Sequence, residues 1–139
     1  MLKSYRDLEV WQKSYRLCID IYKATRCFPA DEKYGLTSQI RRASVSVPSN
    51  IAEGYGRRSP GEYVQSLYIA YGSVCELETQ LLLSADLKYL PPNDVQRLHL
   101  ALGDVERMLK ALIRALDRRR FGTGTLDPST PGTLATERN

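Results

Sequence analysis

The chain has 139 residues, 42% hydrophobic and 26% charged, the size and composition of one globular domain able to bury a core without staples. No apolar run approaches the ~20 residues that span a bilayer, and the opening Met1–Asp7 lacks the apolar stretch and cleavage site of a signal peptide, so a cytoplasmic protein with no membrane partner is expected. The formal charge of +4 rests on twenty Lys and Arg against sixteen Asp and Glu, too mild a surplus to name a partner by itself.

The first predicted helix runs from about Asp7 to Arg26. Leu8, Trp11, Tyr15, Cys18, Tyr22 and Thr25 recur at three- and four-residue steps, with Ile19 broadening the stripe. Phe28-Pro29 ends it, because the residue before a proline is pushed out of helical backbone. The second helix is expected from near Asp31 to about Tyr55, with Leu36, Ile40, Ala43, Val47, Ile51 and Gly54 on one face. Pro48 lies inside it and cannot donate to the carbonyl of Ser44. A kink is expected there, with Ser44, Ser46, Ser49 and Asn50 available to satisfy freed backbone groups.

Ser59-Pro60-Gly61-Glu62 is a capping-box start for the third helix, with proline at its first position. Tyr63, Leu67, Ala70, Val74, Leu77 and Leu81 form its main stripe. A second stripe of Val64, Tyr68, Tyr71, Cys75 and Leu82 makes the apolar arc wider than one bundle core needs. The extra surface points either to a central position or to another subunit. After Pro91-Pro92, Val95, Leu98, Leu102, Val105, Leu109, Leu112 and Leu116 repeat in a heptad seam suited to antiparallel packing. Arg118-Arg119-Arg120 closes that helix, where positive charge suits the dipole. Residues 121–139, rich in Gly, Thr and Pro, are expected to be disordered. Short connections favour an all-α, antiparallel up-down-up-down four-helix bundle over residues 1–120, with a kinked second helix.

Chemistry-bearing constellations are scarce. Cys18, Cys27 and Cys75 are odd in number, never spaced Cys-x-x-Cys, and read as free buried thiols. His99 stands alone without metal-ligand spacing and is expected as a partly exposed surface residue. No phosphate-cradling glycine loop or nucleophile elbow occurs; Gly54-Tyr55-Gly56-Arg57-Arg58 reads as a helix end with a turn. No catalytic residue, metal ligand or cofactor is assigned, and a non-enzyme is expected.

Charge is unevenly spread. Residues 1–30, 31–58 and 91–120 are net basic and 59–90 net acidic, and fourteen of the twenty cations are Arg, which suits phosphate forks and carboxylate pairs alike. Arg57, Arg58, Arg118, Arg119 and Arg120 at helix ends are the candidate nucleic-acid contacts. Arg41 and Arg42 are weaker candidates. Folding the second and third helices back around residues 57–59 sets Arg41 and Arg42 level with Glu76, so pairing with Glu76 or Glu78 is expected. Most of the nine tyrosines sit on apolar stripes and are expected in the core or an interface.

Tyr5-Arg6-Asp7-Leu8-Glu9-Val10-Trp11-Gln12-Lys13 resembles the opening signature of the bacterial four-helix-bundle proteins encoded in intervening sequences of large-subunit ribosomal RNA genes. Glu32 to Ala43, the stretch Ser46-Val47-Pro48-Ser49-Asn50-Ile51-Ala52-Glu53-Gly54, Ile69 to Ser73 and Glu76 to Leu81 resemble that family's later motifs. The resemblance covers about residues 5–116. It implies a four-helix bundle assembling into a homopentamer. Structural roles are expected, apart from the resemblance, for Pro48, Asn50, Glu53, Glu76 and Glu78. A more remote similarity, to the accessory variability proteins of diversity-generating retroelements, implies nucleic-acid binding beside a reverse transcriptase. The expectation is a non-enzymatic oligomeric accessory protein that binds nucleic acid, RNA ahead of DNA, through basic helix ends. The alternative is a protein-binding scaffold for an enzyme such as a reverse transcriptase, without nucleic-acid contact.

Overall fold

In the computed structural model, which describes residues 2–120, four α-helices follow one another: α1 Glu9–Ala24, α2 Leu36–Tyr55, α3 Pro60–Asp86 and α4 Pro92–Arg120. Each packs on its two neighbours in a closed cycle, α1 on α2, α2 on α3, α3 on α4 and α4 back on α1. The antiparallel order shows in the levels of facing residues: Lys13 meets Asp104, while Asp20 meets Arg97. The chain is an up-down-up-down four-helix bundle. The segment 121–139, expected to be disordered, lies outside the described residues.

The helices are shorter at their entries than periodicity suggested. Tyr5–Asp7 and Thr25–Cys27 are 3-10 turns flanking α1. Ser4 caps the first by accepting from the Arg6 N–H, and the Asp7 carboxylate accepts from the Ser4 N–H in return. A further 3-10 turn, Ala30–Glu32, precedes α2. The Glu32 carboxylate accepts from the Leu36 N–H at 3.0 Å, capping α2 from four residues upstream, where a negative charge also complements the helix dipole. Ser59 caps α3 by accepting from the Glu62 N–H at 3.1 Å. α3 ends with Lys88 in left-handed backbone (φ 62°) and Tyr89 N–H donating back to the Ser84 carbonyl, a Schellman closure.

The faces read from α2 and α4 are the ones buried. Leu36, Ile40, Ala43, Val47, Ile51 and Gly54 are all inside, as are Leu98, Leu102, Val105, Leu109 and Leu116, joined by Ile113. α2 continues through Pro48 as one element, with the ring buried. On α3 Leu67, Ala70, Val74, Leu77 and Leu81 of the main stripe are buried with Tyr63 at its edge, but the second stripe divides: Val64 is inside while Tyr68, Cys75 and Leu82 are exposed.

α1 departs from the expected stripe. Its buried side chains are Val10, Ser14, Leu17 and Ile21, one step round from the aromatic row, and Tyr15, Ile19 and Tyr22 are exposed. Ser14 enters the core because its hydroxyl donates to the Trp11 carbonyl at 3.0 Å, leaving no orphan. The aromatic row carries more apolar bulk than this buried stripe, so pattern alone favours it.

The α2–α3 seam is the most extensive of the four, and small polar groups line it. Ser66, Ser73, Gln80 and Ser84 of α3 are buried. A Cβ built on Gly54 would stand 2.9 Å from the Ser66 Cβ and 3.0 Å from the Tyr63 ring, so only glycine admits this approach. Here Gly56, not a left-handed residue, follows the last turn of α2 in ordinary helical backbone.

Candidate nucleic-acid interface

Helix polarity decides which charges meet. In an up-down-up-down bundle the C-terminal ends of α2 and α4 lie at the same end, beside the N-terminal ends of α1 and α3. The short turn after α2 therefore carries Arg57 and Arg58 to the end where α4 finishes with Arg118-Arg119-Arg120. Lys3, Arg6 and Arg114 belong to that end as well, so eight cations face Asp7, Glu9, Glu53, Glu62 and Asp117. At the far end Lys23, Arg26, Lys33, Arg41, Arg42, Lys88 and Arg97 stand with Asp20, Asp31, Glu32, Asp86 and Asp94. Two of those cations are already engaged, Arg97 by Asp20 and Asp94 at 3.1 Å each and Arg41 as described below. Two arginine clusters sixty residues apart in sequence thus form one basic end.

Their individual settings differ. Arg57 forms an exposed ion pair with Glu53, one helical turn back, at 3.2 Å, a contact of small energy that a phosphate could displace. Arg58 and Arg118 are exposed, and neither forms an ion pair among the described residues. Arg119 and Arg120 are the last two residues of α4.

Arg41 and Arg42 do not pair with Glu76 or Glu78. Arg41 turns toward α1: its Nε donates to the Thr25 hydroxyl at 2.8 Å, its Nη2 to the Tyr22 carbonyl at 3.3 Å, and its guanidinium lies 4.8 Å from the Tyr22 ring centre. Arg42, Glu76 and Glu78 are exposed. The level of the helices explains part of this. Ser46 meets Ser73 directly, a step further along α3 than the folding-back estimate, and Arg41 sits on the α1 side of α2.

Arg42 and Glu76 do share a polar groove of about 420 Å³ between α2 and α3, with Tyr34, Ser38, Gln39 and Ser46. Beneath it, Asn50 Nδ2 donates to the Ser46 carbonyl at 2.9 Å and to its hydroxyl oxygen at 3.0 Å. Pro48 is buried within α2, and the Asn50 amide serves Ser46 and not the Ser44 carbonyl.

A second groove, of about 220 Å³, lies between α3 and α4 and was missed in the sequence. Tyr68, Tyr71, Lys110, Ile113 and Arg114 line it. Lys110 pairs with Glu106 at 3.2 Å and lies 5.5 Å from the Tyr71 ring centre. The Glu106 carboxylate and the Tyr71 hydroxyl hold the Lys110 ammonium above its ordinary pKa. Lys110, Arg114 and Arg118 recur every four residues opposite the heptad seam, a signal present in the sequence but overshadowed by the seam itself.

Other expectations shift. None of the described tyrosines is fully buried; Tyr15, Tyr22, Tyr34 and Tyr68 are exposed, while Tyr63, Tyr71 and Tyr89 pack against the core from its edge. The three cysteines are free, but Cys27 and Cys75 are exposed instead of buried. His99 is partly exposed, as expected. Among the described residues no three His, Cys, Asp or Glu side chains gather as a metal site, and no helix is long and apolar enough to cross a membrane.

A sequence profile described as 23S rRNA-intervening sequence protein matches residues 6–111. The chain belongs to this family. A crystal structure of a protein of unknown function from the S23 ribosomal protein family of Bacteroides thetaiotaomicron superposes with a TM-score of 0.70, covering 76% of this chain and 95% of that one at 22% identity. That likeness bears on the fold of this 23S rRNA-intervening sequence protein alone. No curated protein matches the chain.

Proposed function

We propose that this 23S rRNA-intervening sequence protein is a non-enzymatic accessory protein that binds nucleic acid, RNA in preference to DNA, through its basic end. The observation that carries the reading is the convergence of Arg57 and Arg58 with the Arg118–Arg120 terminus at one end of the bundle. Clustered arginines neutralise phosphates and release counterions, which supplies sequence-independent affinity. The family's name, which ties it to ribosomal RNA, supports RNA as the partner.

The test is a fluorescence-anisotropy titration of structured RNA and duplex DNA at several salt concentrations. Affinity should fall with salt at a log–log slope of about −0.9 per neutralised duplex phosphate. Arg57→Glu/Arg58→Glu and Arg118→Glu/Arg119→Glu/Arg120→Glu proteins should each flatten that slope. No binding at low salt by well-folded protein would remove the reading.

A second reading, self-association, is favoured by the exposed apolar side chains. Tyr15, Ile19 and Tyr22 mark one face on α1, and Ile69, Leu82 and Leu83 another on α3, continued by Leu87 at its C-cap. α1 and α3 are diagonal in the bundle, so joining one face to the other between copies is a head-to-tail contact, the kind that closes into a ring. A homopentamer is the assembly we propose. A ring would multiply the basic end and, by avidity, its affinity. Sedimentation of the wild-type protein as a monomer at micromolar concentration would exclude it.

A further inference from the structure

We propose that the α3–α4 groove is a subsite for one unpaired base of a single-stranded nucleic acid, the base lying on Tyr68 and its phosphate held by Arg114. This rests on the nucleic-acid reading above and adds to it a second contact of a different kind. The groove has the two elements such a subsite needs. Tyr68 is 54% exposed although it lies beside the core, and the Tyr71 ring and buried Ile113 continue the apolar floor. Base–aromatic stacking needs such an open ring face and tolerates any base.

The wall is cationic. Arg114 is exposed, with no ion pair among the described residues, and Lys110 stands one turn before it. The nearby carboxylate, Glu106, is already engaged, accepting from the Tyr71 hydroxyl at 3.5 Å and pairing with Lys110. Along α4 the series Lys110, Arg114, Arg118 advances about 6 Å per step and leads out of the groove to the basic end. A strand whose base occupies the groove would therefore run its backbone onto the surface that binds phosphates.

The larger α2–α3 groove lacks this logic. There Arg42 shares the lining with Glu76, whose charge would repel a phosphate. A duplex cannot use the α3–α4 subsite either, since its bases are paired and stacked; only an unpaired strand can present one. The proposal thus separates two modes, salt-sensitive binding of any nucleic acid at the basic end and aromatic selection of unpaired strands in the groove.

The test uses the full chain, a fluorescein-labelled twelve-nucleotide oligouridylate, a duplex of equal length, and an oligonucleotide carrying 2-aminopurine. Tyr68→Leu should weaken the single strand about tenfold, leave the duplex unchanged and keep the salt slope, since no charge is removed. Tyr68→Phe should restore binding, and Arg114→Gln should flatten the single-strand salt slope by about 0.7. 2-Aminopurine fluorescence should be quenched by the wild type and not by Tyr68→Leu. Single-strand affinity unchanged in Tyr68→Leu, or lost only in step with a smaller sedimenting species, would overturn the proposal and make the groove a contact between copies. Failure of the wild-type protein to bind either probe would instead sink the underlying nucleic-acid reading.

Discussion

Ser73 on α3 donates its hydroxyl proton to Ser46 Oγ on α2 at 2.8 Å, and Asn50 donates to that same oxygen at 3.0 Å. Ser46 therefore ties the two most extensively packed helices together two residues before Pro48, where α2 has already lost a backbone donor. Ser46→Ala would leave the buried Ser73 hydroxyl without its partner and Asn50 with the Ser46 carbonyl alone. A loss of about 1–2 kcal/mol is expected. Urea denaturation gives the answer: a change within about 0.5 kcal/mol, the ordinary range for a surface substitution, would show the bridge to be dispensable.

Gly54 makes a sharper case because propensity and packing disagree. Alanine is the better helix former by about 1 kcal/mol, so substitution in an exposed helix would stabilise. Here the new methyl would meet the Ser66 Cβ at 2.9 Å and the Tyr63 carbonyl oxygen at 3.2 Å. Neither is the end of a flexible side chain, so α2 and α3 must move apart. Gly54→Ala should be destabilised by about 1–3 kcal/mol, seen as a lower Tm. A Tm at or above that of the parent would mean the seam accommodates the methyl.

The Arg41 clasp corrects the sequence expectation and separates two variants cleanly. Arg41→Met removes charge-assisted bonds to Thr25 and Tyr22 and frees the buried Thr25 hydroxyl from its outer partner, although that hydroxyl still donates to the Ile21 carbonyl at 2.7 Å. About 1–2 kcal/mol should be lost. Glu76→Gln touches an exposed side chain with no ion pair among the described residues and should melt within about 0.5 kcal/mol of the parent. The reverse order of the two melting points would restore an Arg–Glu pair across α2 and α3.

These contrasts show what periodicity can and cannot convey. The buried faces of α2 and α4 follow from aliphatic side chains at helical spacing, and the start of α3 from Ser59-Pro60, because local chemistry dictates both. On α1 the core position of Ser14 depends on a bond to the Trp11 carbonyl, and the aromatic row beside it carries more apolar area, so pattern alone favours the wrong stripe. The side on which Arg41 leaves α2 depends on α1 standing next to it. The basic end depends on topology still more: Arg57 and Arg118 share one end of the bundle only because two intervening reversals return the chain to it. Tyr68 with Arg114 needs both topology and the level of α3 against α4.

Stability should vary with pH on both sides of neutrality, through different residues. Burial, with the nearby Tyr55 as a lesser cause, pushes Tyr63 up to about 12, and Tyr89 is also raised because its phenol donates to Glu32 at 2.8 Å. A raised phenol favours the folded state while it stays protonated. Its contribution is complete below the unfolded value near 10 and is lost as pH climbs through the folded value near 12. Glu32 moves the other way: the Leu36 N–H, then the Tyr89 hydroxyl, hold its carboxyl below the ordinary 4.5. Its contribution is complete above that value and is lost as pH falls through the lower folded one. Urea midpoints recorded from pH 3 to 11.5 should therefore decline at both extremes. Tyr63→Phe should make the decline above pH 10 shallower without abolishing it, since Tyr89 remains, and Glu32→Gln should blunt the acid decline while lowering the plateau through loss of the α2 cap. An alkaline limb identical in Tyr63→Phe and the parent would show that this phenol ionises as freely in the folded protein as in the unfolded chain.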